Sequence, residues 1–340
     1  MIRLEKSPVM DGVMRQLLES LMEVSSYLSD VAAFNGEILS PAREKELTAI
    51  LKRHSLPSSL KQDISIIRDN PYFRDIHLET VATPTVRYET AVIKRRTVLN
   101  VDFLRPVGKY LFHEHPLGYF DEDLELPVLK EGDKVWMSPV VSEIQSMGDG
   151  ITKGRGRCLT LGLGLGVLPY LWLLKDEVAS VTIVERNPDV IAVFEKYIRP
   201  QFNTLKPITV ISGDAFDYYN EAWLAGFDYV YVDFWESTGD GLTAYMKLME
   251  TKLRPSHVDF WVETSILQDV KHLLALYLMT LYRGGSIYEF IAGQEAEMKV
   301  IAKKMNRYFK QREDVIATEA ELLSLIHDRE ILRDILALTK

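Results

Sequence analysis

The chain has 340 residues, a single cysteine and a formal net charge of −9. That length can bury a sizeable core and is expected to divide into more than one unit, while the acidic balance argues against broad electrostatic capture of nucleic acid. One cysteine excludes an internal disulfide, and no segment is long and apolar enough to span a bilayer.

The first six residues, Met1 to Lys6, lack the apolar core of a secretory signal, so a cytoplasmic protein is expected. Residues 1–80 read as a helical segment, with Asp11 as a cap and Val13, Leu17, Leu21 and Leu28 on one helix face. It is read as a small cap or an oligomer surface without chemistry of its own. Residues 81–135 read as β-rich, because 87–93 and 97–104 alternate in strand fashion before a turn-rich stretch at 121–134. Lys94, Arg95 and Arg96 suit a solvated hairpin end better than a nucleic-acid patch. His113 and His115 share a strand face around Glu114, but no further motif supplies the third ligand a zinc site needs, and no metal is expected.

Residues 136–292 carry the nucleotide-binding pattern. Ser138 and Pro139 start a helix running to about Met147. An apolar run containing Cys158 then leads directly into Gly162, Gly164 and Gly166, which predicts a buried parallel strand leaving through a tight turn that a ligand can approach closely. Inside that strand Cys158 is a small apolar residue rather than a nucleophile. Val181 to Val184 is the next strand and ends on Glu185, about twenty residues beyond the glycines, where a carboxylate can accept both ribose hydroxyl protons. Asn187 and Pro188 look like the cap and first position of a helix whose apolar face is Val190, Phe194, Tyr197 and Ile198.

Ile208 to Ser212 reads as a third strand leading into Gly213, Asp214, Ala215 and Phe216, and residues 227–233 read as a fourth ending on Asp233. Taken alone, Asp214 could simply cap a turn and Asp233 could be a solvated strand end. Together the strand ends follow the rule that open α/β sheets bind ligands there. A turn at 253–255 and a fifth strand at 258–262 follow, then mostly helix, with Ser286 to Ile291 as a short strand candidate. Residues 293–340 read as a helical extension in which Thr318 and Glu321 have capping-box spacing ahead of Leu322, Leu325, Ile326, Ile331 and Ile335. That face suits packing on its own domain or a homodimer seam. The fold class expected is α/β, a Rossmann-like, doubly wound, mostly parallel sheet.

The glycine spacing is G-x-G-x-G, whereas the dinucleotide fingerprint would place its third glycine at Val167. This pattern, with the strand ends that follow it over residues 136–265, resembles motif I and the downstream segments of the class I S-adenosylmethionine-dependent methyltransferases. The resemblance implies S-adenosylmethionine as cofactor, held by Gly162, Gly164, Gly166, Glu185, Asp214 and Ala215. In that family the first acid holds the ribose, the second contacts the adenine amino group with the next backbone N–H nearby, and Asp233 would lie beside the methionine moiety or the substrate. Thr160 departs from the pattern, replacing an acid two residues before the first glycine. Asp233-Phe234-Trp235-Glu236 also lacks the proline pair of nucleic-acid amino-methyltransferases, which disfavours DNA bases as acceptors.

The β-rich segment before the nucleotide domain is similar to the layout of the spermidine-synthase-like branch. True aminopropyltransferases carry a Gly-Gly-Gly-Asp-Gly-Gly turn and an Asp-Ser or Asp-Thr segment ending in Pro, which this chain lacks, so their polyamine-binding acids do not carry over apart from Asp233. The expected function is methyl transfer to a small-molecule acceptor, with Asp233 as general base for a protonated nucleophile and Phe234, Trp235 and Tyr218 lining an apolar acceptor pocket. The alternatives are aminopropyl transfer from decarboxylated S-adenosylmethionine and cofactor binding without catalysis.

Overall fold

Chain direction and helix caps organise the amino-terminal third. In the computed structural model, which describes residues 2–101, 105–107, 110, 112–114, 116–138 and 140–339 (backbone alone at 105–107 and 112–114), helix α1 spans Pro8–Val31. It starts ahead of Asp11, because the Ser7 hydroxyl accepts the Met10 N–H at 3.1 Å and Pro8 suits the first turn. Asp11 instead accepts the Tyr282 hydroxyl at 2.6 Å. Val13 and Leu17 are buried as expected, whereas Leu28 points to solvent. Helix α2 (Pro41–Arg53) follows, capped by Ser40.

The two helices are clamped by His54, whose ring nitrogens lie 2.6 Å from Glu23 Oε1 and 2.8 Å from Asp30 Oδ2. Burial works against the imidazolium, yet the two carboxylates prevail and hold its pKa above the ordinary histidine range. A raised folded value stabilises the protein fully below the unfolded pKa and loses that contribution as pH rises through the folded one. His54→Gln is therefore expected to cost about 1 kcal/mol at pH 6, discounted for the exposure of Glu23, and less at pH 9. Urea melts at the two pH values check this, and an equal cost at both would remove the clamp.

Strands β1 (Val86–Ile93), β2 (Leu124–Glu131) and β3 (Lys134–Met137) form an antiparallel sheet with the short strand Val81–Ala82. The stretch 121–134, expected as turns, is thus mainly strand β2. Leu124, Leu126 and Val128 point inward at alternate positions, and Pro127 is tolerated because β3 pairs with β2 only from Leu129 onward. Lys94 and Arg96 are ion-paired with Asp123 and Glu44 at the turn that follows β1. The second strand expected at 97–104 is described only as Leu99–Asn100, and the His113–His115 side chains lie outside the described residues.

Helix α3 (Val141–Ser146) begins three residues later than expected, where the Ser138 N–H donates to the Glu143 carboxylate, and α4 (Gly148–Lys153) follows at once. The second unit is a five-stranded parallel sheet of β4 (Gly156–Leu161), β5 (Val178–Glu185), β6 (Ile208–Ser212), β7 (Tyr229–Val232) and β8 (Val258–Phe260), ordered β6-β5-β4-β7-β8. This is a Rossmann-like α/β fold. Its central strands β4 and β7 are buried on both faces, which explains their continuous apolar and aromatic character. Cys158, Ile183, Tyr229 and Tyr231 pack against α5 (Val167–Leu173) and α6 (Pro188–Val193), while Leu159, Leu161, Val230 and Val232 pack beneath the carboxyl-terminal helices. Cys158 is fully buried and burial pushes its thiol up to about 11, so it is an apolar core residue.

Beyond β6, Asp214 caps α7 (Ala215–Tyr218), and β7 leads through a loop into α8 (Thr238–Met249). The long α9 (Glu263–Arg283) packs in the core shared with the sheet and stops at Gly284, whose φ of 70° closes the last turn. Ser286 to Ile291 is not a strand. The Ser286 hydroxyl accepts the Glu289 N–H at 3.2 Å and starts helix α10 (Ile287–Ala292). Helices α11 (Ala296–Lys310), α12 (Glu319–His327) and α13 (Arg329–Ala337) complete the chain, with the Thr318–Glu321 capping box present. Leu322, Leu325, Ile326 and Ile335 are buried in the same core as α9, so this extension packs on its own sheet domain. No helix among the described residues is long and apolar enough to cross a membrane.

Candidate functional site

The strand order reverses beside β4, with β5 on one side and β7 on the other, and a cleft of about 860 Å³, partly open to solvent, lies at the carboxyl ends of these strands. Its floor is the glycine turn. Gly162 sits at φ 113° with its N–H donating to the Val184 carbonyl at 2.9 Å, and a Cβ there would lie 1.7 Å from the Asp233 carbonyl oxygen. Only glycine lets these two strand exits touch. Gly164, at φ 53°, lies beneath the Met137 sulfur, and Gly166 precedes α5. The turn is also held from outside its own sheet, since Tyr72 donates to the Leu165 carbonyl at 2.6 Å and the Leu165 N–H donates to Met137 Sδ at 3.2 Å. Thr160 is buried and donates to the Gly162 carbonyl at 3.0 Å, so its hydroxyl supports the turn.

Four carboxylates border the cleft. Glu185 accepts the Leu163 N–H at 3.2 Å and the Asn187 N–H at 2.8 Å, one on each oxygen, and each oxygen keeps a further acceptor position. Burial raises its pKa against the opposing pull of those N–H groups. Asp214 does cap a helix, accepting the Phe216 N–H on Oδ1 at 2.9 Å, yet its side chain also borders the cleft, as does Ala215. Asp233 follows β7 with its N–H donating to the Leu161 carbonyl at 2.8 Å, and burial lifts its carboxyl to about 7. Opposite it is Glu143 of α3, lifted to about 8 by burial and then by the charge of Asp233. Neither has a lysine or arginine within ion-pair distance among the described residues.

The walls are aromatic. Phe234 meets Phe216 edge-on at 5.1 Å, and Trp235 is buried against Gly241 at the start of α8. Trp136 of β3 and Trp261 after β8 close the other sides, with the Trp261 indole N–H donating to Ser146 Oγ at 2.8 Å. Lys134 pairs with Glu236, tying the β2–β3 hairpin to the loop beyond Asp233. Tyr218 is not part of this lining. Its ring underlies Gly213 and meets Trp223 edge-on at 4.8 Å, because the short helix α7 turns it away from the cleft. Glu143, Trp136, Met137, Phe216 and Trp261 are among the lining residues that sequence reading missed. Phe216 adjoins Asp214 and Ala215 and could have been flagged, whereas the others are brought in by elements outside the glycine–acid pattern.

Burial raises both Asp233 and Glu143, and the charge of Asp233 raises Glu143 further, so the two acids are expected to titrate as a pair. Both groups hold protons more tightly when folded, so stability falls as pH rises from the ordinary carboxylate range through 8. Glu143→Gln is expected to leave a single ionisation near 7 and to make the protein more stable than wild type at pH 8.5. Carboxyl carbon NMR titration checks this, and two surviving ionisations in the variant would refute the pairing.

Comparison with known proteins assigns the chain to no family. No protein-family model matches the chain, and no curated protein matches its sequence. Among solved structures it is similar to a spermidine synthase from Thermotoga maritima at 15% identity, covering 52% of each chain with a TM-score of 0.29. It is also similar to a shikimate dehydrogenase from Mycobacterium tuberculosis at 16% identity, covering 45% of this chain and 57% of the other with a TM-score of 0.20. The matches thus span only about half of either protein.

Proposed function

We propose that this cleft binds S-adenosylmethionine and transfers its methyl group to a small-molecule acceptor. One observation carries the reading: an open glycine turn, Glu185 and Asp214 stand on adjacent strand ends, and an unneutralised acid pair stands on the far side of the same turn. The residues fit such a ligand. Glu185 keeps acceptor positions for vicinal hydroxyls, Asp214 keeps an oxygen for an amino donor, and Phe216 offers an apolar face beside it. When bound, the sulfonium supplies an activated methyl group, so little covalent help is required of the protein. Its residues align the acceptor and exclude water with the walls of Trp136, Phe234, Trp235 and Trp261. Asp233 takes the proton that the nucleophile gives up, and Glu143 offers a second place for it.

The second carboxylate favours one further reading. Two acids in an aromatic cleft suit an amine acceptor, which keeps aminopropyl transfer from decarboxylated S-adenosylmethionine as the alternative. Calorimetric titration with both forms and with NAD separates these. S-adenosylmethionine is expected to bind best, and Glu185→Ala and Asp214→Ala each to weaken it by about tenfold or more, the worth of a hydrogen bond to a charged group. Preference for the decarboxylated form would move the assignment to aminopropyl transfer. Preference for NAD, or no binding of any of the three, would end both readings.

A further inference from the structure

A second cavity lies behind the Trp261 wall. It holds about 780 Å³, partly open to solvent, between α4, strands β7 and β8, and the start of α9. Ser146, which accepts the Trp261 indole N–H, lines it, so the two cavities are separated by the Trp261–Ser146 contact. The proposed methyl transfer makes no use of this space.

Most of its charges are already spent. Asp259 accepts Lys153 and the Tyr229 hydroxyl, both at 2.9 Å, and Glu263 is held by Arg333 at 2.6 Å and by Tyr245. Four groups are left over. Tyr231 is 3% exposed, lines the cavity, and its hydroxyl has no hydrogen-bond partner among the described residues. Asp149 on α4 has no ion-pair partner among them either. On the facing wall, Arg329 is 56% exposed and makes only long ion pairs, 3.6 Å to Glu263 and 3.7 Å to Glu330, so its guanidinium can turn to a ligand. Beside it is the start of the 21-residue helix α9, which begins at Val262 with no side-chain cap, leaving the first N–H groups at the cavity.

A free acid therefore stands on one wall, a cation and an uncapped helix end on the other, and an unpartnered phenol on the floor. We propose that this cavity binds a small zwitterion of the amino-acid type. Its carboxylate would sit against Arg329 and the first turn of α9, and its ammonium between Asp149 and the Tyr231 oxygen. A simple anion leaves Asp149 unmatched, and a simple cation leaves the helix end unmatched.

The test is calorimetric titration of the full chain with the common L-amino acids, and with acetate and methylamine as half-ligands. At least one amino acid is expected to bind saturably at millimolar concentration, with both half-ligands weaker. Arg329→Gln and Asp149→Asn should each weaken it by about tenfold or more, as expected for loss of a charged hydrogen bond. Tyr231→Phe should weaken it without lowering the melting temperature, because the hydroxyl has no protein partner to lose. Binding should persist in Glu185→Ala and Asp233→Asn, whose carboxylates border the main cleft. Absence of saturable binding, or binding lost with Asp233→Asn but unmoved by Arg329→Gln and Asp149→Asn, would overturn the proposal.

Discussion

Asp233→Asn is expected to lower turnover by about 10²–10⁴-fold, the usual contribution of a positioned general base, while leaving the affinity for S-adenosylmethionine nearly unchanged. The separation follows from what each atom of the residue does. The Asp233 backbone N–H bonds the Leu161 carbonyl, and its carbonyl oxygen abuts Gly162, so the main chain builds the cofactor turn whatever the side chain is. In the proposed reaction the side chain alone supplies the base, and its removal leaves Glu185 and Asp214 in place. Burial keeps Asp233 near 7, so the wild-type rate should rise with pH through that region as the carboxylate forms. In the variant this rise should shift toward the ionisation left to Glu143. Equal turnover in variant and wild type would show that the acceptor arrives already deprotonated. A large loss of cofactor affinity would instead place Asp233 among the binding groups.

How much of this was legible in the sequence depended on whether neighbours in the chain are neighbours in the cleft. Gly162, Gly164, Glu185, Asp214 and Asp233 each end a strand or its exit turn, and a parallel sheet brings such ends together without further information. The succession of strands along the chain, the Asn187 cap and the Thr318–Glu321 box were readable for the same local reason. Glu143 was not, because α3 is a single short helix whose position over the sheet depends on the β-rich segment before it. Trp136 and Met137 reach the glycine turn only because an eight-residue strand fills a stretch that Pro127 makes look like a turn. Tyr218 failed in the opposite direction. Its spacing from Asp214 is one helical turn, and that turn rotates the ring toward Gly213 and Trp223.

Gly162→Ala tests whether that chain-local geometry carries the site, and it is expected to be the most damaging single-methyl change in the glycine turn. A Cβ would fall 1.7 Å from the Asp233 carbonyl oxygen, and φ of 113° is a region L-residues rarely adopt. Relief by small movement is blocked on three sides. The Gly162 N–H is bonded to Val184, its carbonyl accepts the Thr160 hydroxyl, and the Asp233 N–H is fixed to Leu161. Backbone strain and overpacking each cost about 1–3 kcal/mol, so a loss of about 3 kcal/mol or more is expected, together with loss of cofactor binding. Gly132 provides the control. Its φ is 61° and a Cβ there meets nothing within 4 Å, so Gly132→Ala carries the backbone strain alone. Urea unfolding of both variants measures the difference. Should Gly162→Ala prove as stable as Gly132→Ala, the close contact between the β4 and β7 exits would not exist in solution, and the cleft built on it would have to be redrawn.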